Sequence, residues 1–283
     1  MAGRAAPTAR RLRVASELRK LREKSGMSST RAAELLGVGQ GQLSNVETGR
    51  FGVSASRVRA LADIYACTDD AFVNALAAMA EDRSRGWWEE YRDILPGALL
   101  DLAELEHHGT LLRTAHTAHI PGLLQTPEHA REIYRQAIPE LPPPGIEHRI
   151  SHRMKRQAVL YRTDPTPYQG TVHEAALRMQ FGGPKVARAQ LEHLLTMGEL
   201  EHVTIRVIPF EAGSYPGSGQ SINYVHGPVP ELDTVQLDQS HGAAFVDGTN
   251  ELAQYRAIFA RLQTLALGPE ESRDLIHKLA QSL

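Results

Sequence analysis

Apolar positions recur at helical spacing through the first 82 residues, and strict alternation is found only far downstream. Ala32, Ala33 and Leu36, then Leu43 and Val46 beyond Gly37, predict two short helices joined by a tight turn, the second over residues 40–48. Ser28 or Ser29 offers an oxygen to cap the first helix. Gly37 suits the left-handed residue at its end, and Gly49 stops the second. A basic helix over residues 10–26, with Leu18 and Leu21 inward, precedes this pair. Val58, Leu61, Ala62 and Tyr65 predict a helix over 54–66, and Phe72, Leu76 and Met79 a fifth over 69–82, capped by Thr68 or Asp69.

Arg83-Ser-Arg-Gly86 reads as a boundary, after which the pattern mixes periods. A helix is expected over 95–114, with Leu99, Leu102, Leu105 and Leu112 as candidates for burial. Pro121-Gly122 marks a turn, and Thr126 can cap a helix whose first position is Pro127. Pro142-Pro-Pro-Gly145 reads as a break before a strongly basic helix over 146–160. Val203-Thr-Ile-Arg-Val-Ile-Pro209 alternates and is the clearest strand; others are expected near 169–173, 221–225, 234–237 and 243–246. Helices over 174–180, 184–200, 251–267 and 269–282 complete the chain. The fold class is therefore an all-α helix-turn-helix domain over 10–82, preceded by a flexible basic arm (1–9) and followed by an α+β domain over 83–283. Trp87 and Trp88 are expected to pack the joint between the two.

Composition narrows the function classes. The single Cys67 excludes a disulfide framework. No apolar run reaches the length of a membrane span, and the first nine residues lack the apolar core of a secretory signal, so a cytoplasmic protein is expected. The net charge of −2 hides an asymmetry. Residues 1–66 hold twelve Lys and Arg against five Asp and Glu, a basic head on an acidic body. A basic head attracts phosphates irrespective of sequence. On the second short helix Gln40, Gly41, Ser44 and Asn45 lie opposite Leu43 and Val46. Gln and Asn can both donate to and accept from an adenine edge, and one helix fits the major groove. Ser29, Arg31, Gln42 and Arg50 join these four as DNA-binding candidates.

Leu18-Arg-Lys-Leu-Arg22, Gly26-Met-Ser28, Ala32-Ala-Glu-Leu-Leu-Gly-Val38 and Leu43-Ser-Asn-Val-Glu-Thr-Gly-Arg50 resemble the phage-repressor-like helix-turn-helix of xenobiotic-response-element regulators. The resemblance implies an ion pair between Arg22, late in the first helix, and Glu47, late in the recognition helix. Gly41 and Asn45 depart from the family pattern, where longer side chains are common, so base preference cannot be carried over.

Residues 87–283 carry a second resemblance, through Trp87-Trp88, Ile120-Pro-Gly-Leu-Leu-Gln-Thr-Pro127, Arg153-Met-Lys-Arg-Gln157, Glu174-Ala-Ala-Leu177, Gln190-Leu-Glu-His-Leu194 and Val207-Ile-Pro-Phe-Glu-Ala-Gly213. These segments resemble the C-terminal domain of unknown function in actinobacterial, antitoxin-like (WhiJ-like) regulators. That resemblance implies a transcription regulator acting with a small acidic protein encoded nearby, and it supplies no known ligand. A homodimer on double-stranded DNA is expected, since one short helix reads only a few base pairs. Arg153 and Arg156 on the basic helix, Gln125 at a helix entrance and Tyr215 in the glycine loop over 213–219 are the candidates for the acidic partner or an unknown small ligand. One alternative is an antitoxin-like protein that mainly holds its partner; another is a reader fused to a small-molecule enzyme.

No catalytic constellation emerges, and neither metal nor cofactor is expected. His148 and His152 are spaced i, i+4 and His116 lies close to His119, yet no Cys pair or His-Glu-x-x-His accompanies them. The loop over 213–219 leads to a predicted strand rather than a helix N-terminus, which favours a plain hairpin-like loop over a phosphate cradle. Gly37-Val-Gly39 follows a helix, and no serine sits in Gly-x-Ser-x-Gly.

Overall fold

Residues 7–82, 84–239 and 242–283 are described by a computed structural model of the chain. Residues 1–6 of the expected arm lie outside them. Five helices form the first unit: α1 (Ala9–Lys24), α2 (Ser29–Leu36), α3 (Gln40–Glu47), α4 (Ala55–Ile64) and α5 (Asp70–Glu81). Thr8, Ser28, Ser54 and Asp69 cap α1, α2, α4 and α5 through side-chain oxygens. Leu18, Leu43, Val58, Leu61 and Leu76 are almost fully buried at its centre.

The second unit is built on one six-stranded sheet: β1 (Leu111–His116), β2 (Tyr168–His173), β3 (Val203–Ile208), β4 (Ile222–His226), β5 (Thr234–Gln239) and β6 (Gly242–Val246). Their order is β3-β2-β1-β4-β5-β6, with β1, β2 and β3 parallel and the β1–β4, β4–β5 and β5–β6 pairs antiparallel. Seven helices accompany the sheet: α6 (Gly97–His108), α7 (Pro127–Arg135), α8 (Pro143–Arg156), α9 (Glu174–Arg178), α10 (Pro184–Met197), α11 (Thr249–Leu265) and α12 (Pro269–Gln281). An N-terminal helical region followed by a mixed α+β region is thus the architecture.

Three expectations are corrected. The helix expected over 95–114 stops at His108, and Thr114 lies in β1. β1 reads Leu111-Leu-Arg-Thr-Ala-His116, neither an alternation nor an apolar run, because Arg113 lies over the Phe259 ring and buried Thr114 bonds Tyr168, so no period of two marks it as a strand. Gly109 makes the break: a Cβ there would stand 2.7 Å from Val225 Cγ1, too close for any other residue without a shift. The Pro142–Gly145 stretch does not precede α8 but opens it, with Pro143 in its first turn, where a missing N–H costs nothing. The ring contacts of Trp87 and Trp88 are with Tyr91, His107, His108 and His152, all in the second unit, rather than across the joint.

Other residues make the joint. Leu232, in the turn Pro230–Leu232 before β5, is 5% exposed and belongs to the apolar core of the first unit, where Val229 packs beside it. Arg13 of α1 is buried with Glu17 at 2.9 Å, and donates to the carbonyls of Glu231 (2.5 Å) and Asp233 (2.7 Å) and to Thr234 Oγ1 (3.0 Å). Lys20 donates to the Asp247 carbonyl at 2.9 Å, and the Ala9 N–H to Asp101 Oδ1 at 2.9 Å. Leu232→Ala is expected to lower stability by about 2–5 kcal/mol, the range for a truncated core leucine. Thermal unfolding of the full chain checks this, and an unchanged midpoint would show that the turn is not seated in the first unit.

Candidate nucleic-acid interface

Gly37, at φ +72°, turns the chain out of α2 and sets α3 across it. Leu43, Val46 and Glu47 of α3 are buried, while Gln40, Gly41 and Gln42 are exposed and Ser44 and Asn45 half-buried. Gln40 Nε2 donates to Ser29 Oγ at 3.4 Å, so the starts of α2 and α3 are tied and share one surface. Arg31 is exposed, its Nη1 3.2 Å from Glu34 Oε2. Arg50, also exposed, accepts at its carbonyl from Arg11 Nη2 at 2.7 Å. A Cβ built on Gly41 meets nothing within 4 Å. Packing inside the chain therefore does not require glycine here, and the bare backbone leaves room for an approach from outside. Gly39 caps α3 without a side-chain bond, which leaves the positive end of the helix uncovered by its own cap. The second unit joins the reader through α1 and the core beside α5.

Arg22 and Glu47 form a two-pronged pair, Nε to Oε1 at 2.7 Å and Nη2 to Oε2 at 3.0 Å. Arg22 Nη1 also donates to the Met27 carbonyl at 3.0 Å, and Tyr65 OH to Glu47 Oε1 at 3.4 Å. The hydrogen bond to Glu47 holds the Arg22 pKa above its usual value against the opposing effect of burial. Burial and the Glu47 charge push the Tyr65 hydroxyl up. The pair joins α1 to the end of α3 and thereby fixes how the recognition helix is presented.

In the second unit, Arg156 does not project toward a partner. It is buried on Glu106 of α6, Nε to Oε2 at 2.8 Å and Nη2 to Oε1 at 2.6 Å, with side chains 7% and 5% exposed. Burial alone would lower the Arg156 pKa, and the charge and hydrogen bonds of Glu106 reverse that. Glu106 escaped the sequence reading because it ends an otherwise apolar stripe, with no local partner to signal an ion pair. Arg153 donates to Gln125 Oε1 and lies 4.5 Å from the centre of the Tyr134 ring. Gln125 Nε2 reaches the Ile120 carbonyl at 2.5 Å, so two of the candidates meet inside the fold. Tyr215 stacks instead on His173, ring centres 5.1 Å apart. His148 is exposed while His152 is buried against Trp87 and Tyr91, so the i, i+4 pair does not share an environment. Among the described residues no group of three or more His, Cys, Asp or Glu could hold a metal. The glycine loop leads into β4 rather than a helix.

A polar recognition helix on a capped helical scaffold defines a helix-turn-helix DNA-binding protein, and residues 13–76 match the family described as a helix-turn-helix domain. Residues 99–278 match the domain of unknown function DUF5753. The chain belongs to that family. Searches of curated proteins and of solved structures found no match. Among the described residues no helix is long and apolar enough to cross a membrane.

Proposed function

We propose that the protein is a sequence-specific transcription regulator that binds double-stranded DNA as a homodimer, each α3 reading one half-site. The observation that carries this is the exposed run Gln40-Gly-Gln42 beside Ser29 and Arg31, left open while Leu43 and Val46 anchor the helix. Gln40 and Asn45 are the proposed base readers, and Arg31 and Arg50 the phosphate contacts. The second unit, gripped to α1 through Arg13 and Leu232, receives the signal and passes it to the reader. A signal shifts DNA binding only when its ligand prefers one of the bound and free forms. The proposal includes no catalytic step. Cytoplasmic placement and the actinobacterial, xenobiotic-response-element character belong to the same reading. An antitoxin-like role, with a small acidic protein held on the basic face of α8, is less supported because Glu106 already closes Arg156.

Selection of bound duplexes from a random pool by the full chain tests the proposal. Two related half-sites about 34–36 Å apart, one helical turn, are expected. A pool left without a common sequence would contradict it.

A further inference from the structure

Arg153 is half-buried on α8, with its Nε shut off from water and no carboxylate partner. Its Nε has no hydrogen-bond partner, and no Asp or Glu lies within ion-pair distance of it among the described residues. Arg156, three residues on, is closed by both oxygens of Glu106. The contrast between neighbours on one helix points to a missing counter-charge, because a donor shut from water without a partner is costly. The carboxylates whose charge Arg153 feels are the exposed Asp238 of β5 and Glu106, and Glu106 is already taken by Arg156.

Beside the Gln125 Oε1 that Arg153 Nη1 already reaches, the surroundings are imidazoles without partners. His129 of α7 is 2% exposed, and neither of its ring nitrogens has a partner. His119, in the turn after β1, leaves Nδ1 without one. Both rings rest on Phe181, with centres 5.3 Å apart in each case. Gly122 borders Arg153 directly: a Cβ placed on it would sit 3.6 Å from Nε. The region lies beyond the C-terminal end of β1, where the chain leaves on one side for β2 while β4 flanks the other. Open sheets gather ligands at that end.

We infer that Arg153, His119 and His129, roofed by Gly122, form a binding site for a small oxyanion, the carboxylate or phosphate group of a low-molecular-weight ligand. A guanidinium suits the geometry of either group, and imidazole N–H groups complete the donor set. A metal cation does not fit, because Arg153 repels it. The inference rests on the signal-receiving role proposed for the second unit and gives that signal a chemical class.

Burial, then the charges of His119 and Arg153, hold His129 neutral, with its pKa lowered to about 4. The other groups around the site are the Arg156–Glu106 pair, Asp238, Tyr134 and the buried His116 of β1, whose Nε2 meets Asn223 and whose own pKa burial lowers to about 4. An anion seated between His129 and Arg153 favours the protonated ring, so binding takes up protons from a mildly acidic buffer.

The test is the thermal midpoint of the full chain titrated with sodium phosphate and, separately, sodium acetate, against chloride at equal ionic strength. A midpoint rising with either probe, lost in Arg153→Gln and partly kept in Arg153→Lys, is expected; the probe that works identifies the group. No rise above chloride with either probe, or an equal rise in Arg153→Gln, overturns the site. Gly122→Val covers Nε and keeps the charge, so it decides the matter should Arg153→Gln fail to fold: loss of the response supports the site and an unchanged response overturns it. Calorimetry in buffers of different ionisation enthalpy should show proton uptake on phosphate or acetate binding, and its absence counts against the histidines. Operator affinity measured with and without the effective probe addresses the other reading separately. Binding without any change in operator affinity keeps the site and removes its role as a signal.

Discussion

Glu106→Ala is expected to destabilise the second unit by about 3–5 kcal/mol, the usual cost of stripping one partner from a buried ion pair. Both side chains are under a tenth exposed, and the two contacts at 2.6 and 2.8 Å leave Arg156 no solvent route to a substitute. Truncation leaves a guanidinium buried between α6 and α8 without its counter-charge. Denaturant unfolding of the full chain checks the loss. Combining Glu106→Leu with Arg156→Met should recover most of it, since replacing both charges by apolar groups removes the desolvation cost as well as the attraction. A loss below about 1 kcal/mol, the size found for exposed pairs, would place the pair in water.

Glu47→Ala should act on the reader with similar size, about 3–5 kcal/mol, because Glu47 is 6% and Arg22 13% exposed. Two further groups depend on this carboxylate. Tyr65 OH loses its acceptor, and Arg22 keeps the Met27 carbonyl and a long contact, 3.9 Å, with the exposed Glu23. The variant also loosens α3 from α1, so operator affinity should fall with stability even though Glu47 faces away from the reading surface. Calorimetric unfolding together with binding measured well below the melting point separates the two effects. An unchanged melting transition would remove the pair from the account.

The reader was legible in the sequence because its signals are local. A cap at Ser28 or Ser29 and another at Thr68 or Asp69, the left-handed Gly37 and the spacing of Leu43 and Val46 all act within one or two turns, and the structure takes Ser28 and Asp69 as the caps. The second unit was legible where strands alternate, as in β3, and where Thr126-Pro127 opens a helix. It was misread where packed polar side chains break the alternation, as at Arg113 and Thr114 of β1. Arg156 was misplaced for a different reason. A run of basic residues looks like a solvated face, and the carboxylate that draws one of them inward lies fifty residues earlier. The seating of Leu232 in the first unit had no signature at all, since one leucine in a short proline turn carries no pattern.

The central claim is that α3 reads bases, and the measurement that addresses it most directly is equilibrium binding of Gln40→Ala to the selected duplex and to random duplexes at one salt concentration. Gln40 is exposed and tied only to Ser29, so its loss should leave the fold intact. If it contacts a base edge, affinity for the selected duplex falls by about 1–3 kcal/mol while affinity for random duplexes stays within error. Equal losses on both kinds of duplex, or no loss on either, would contradict base reading by this helix.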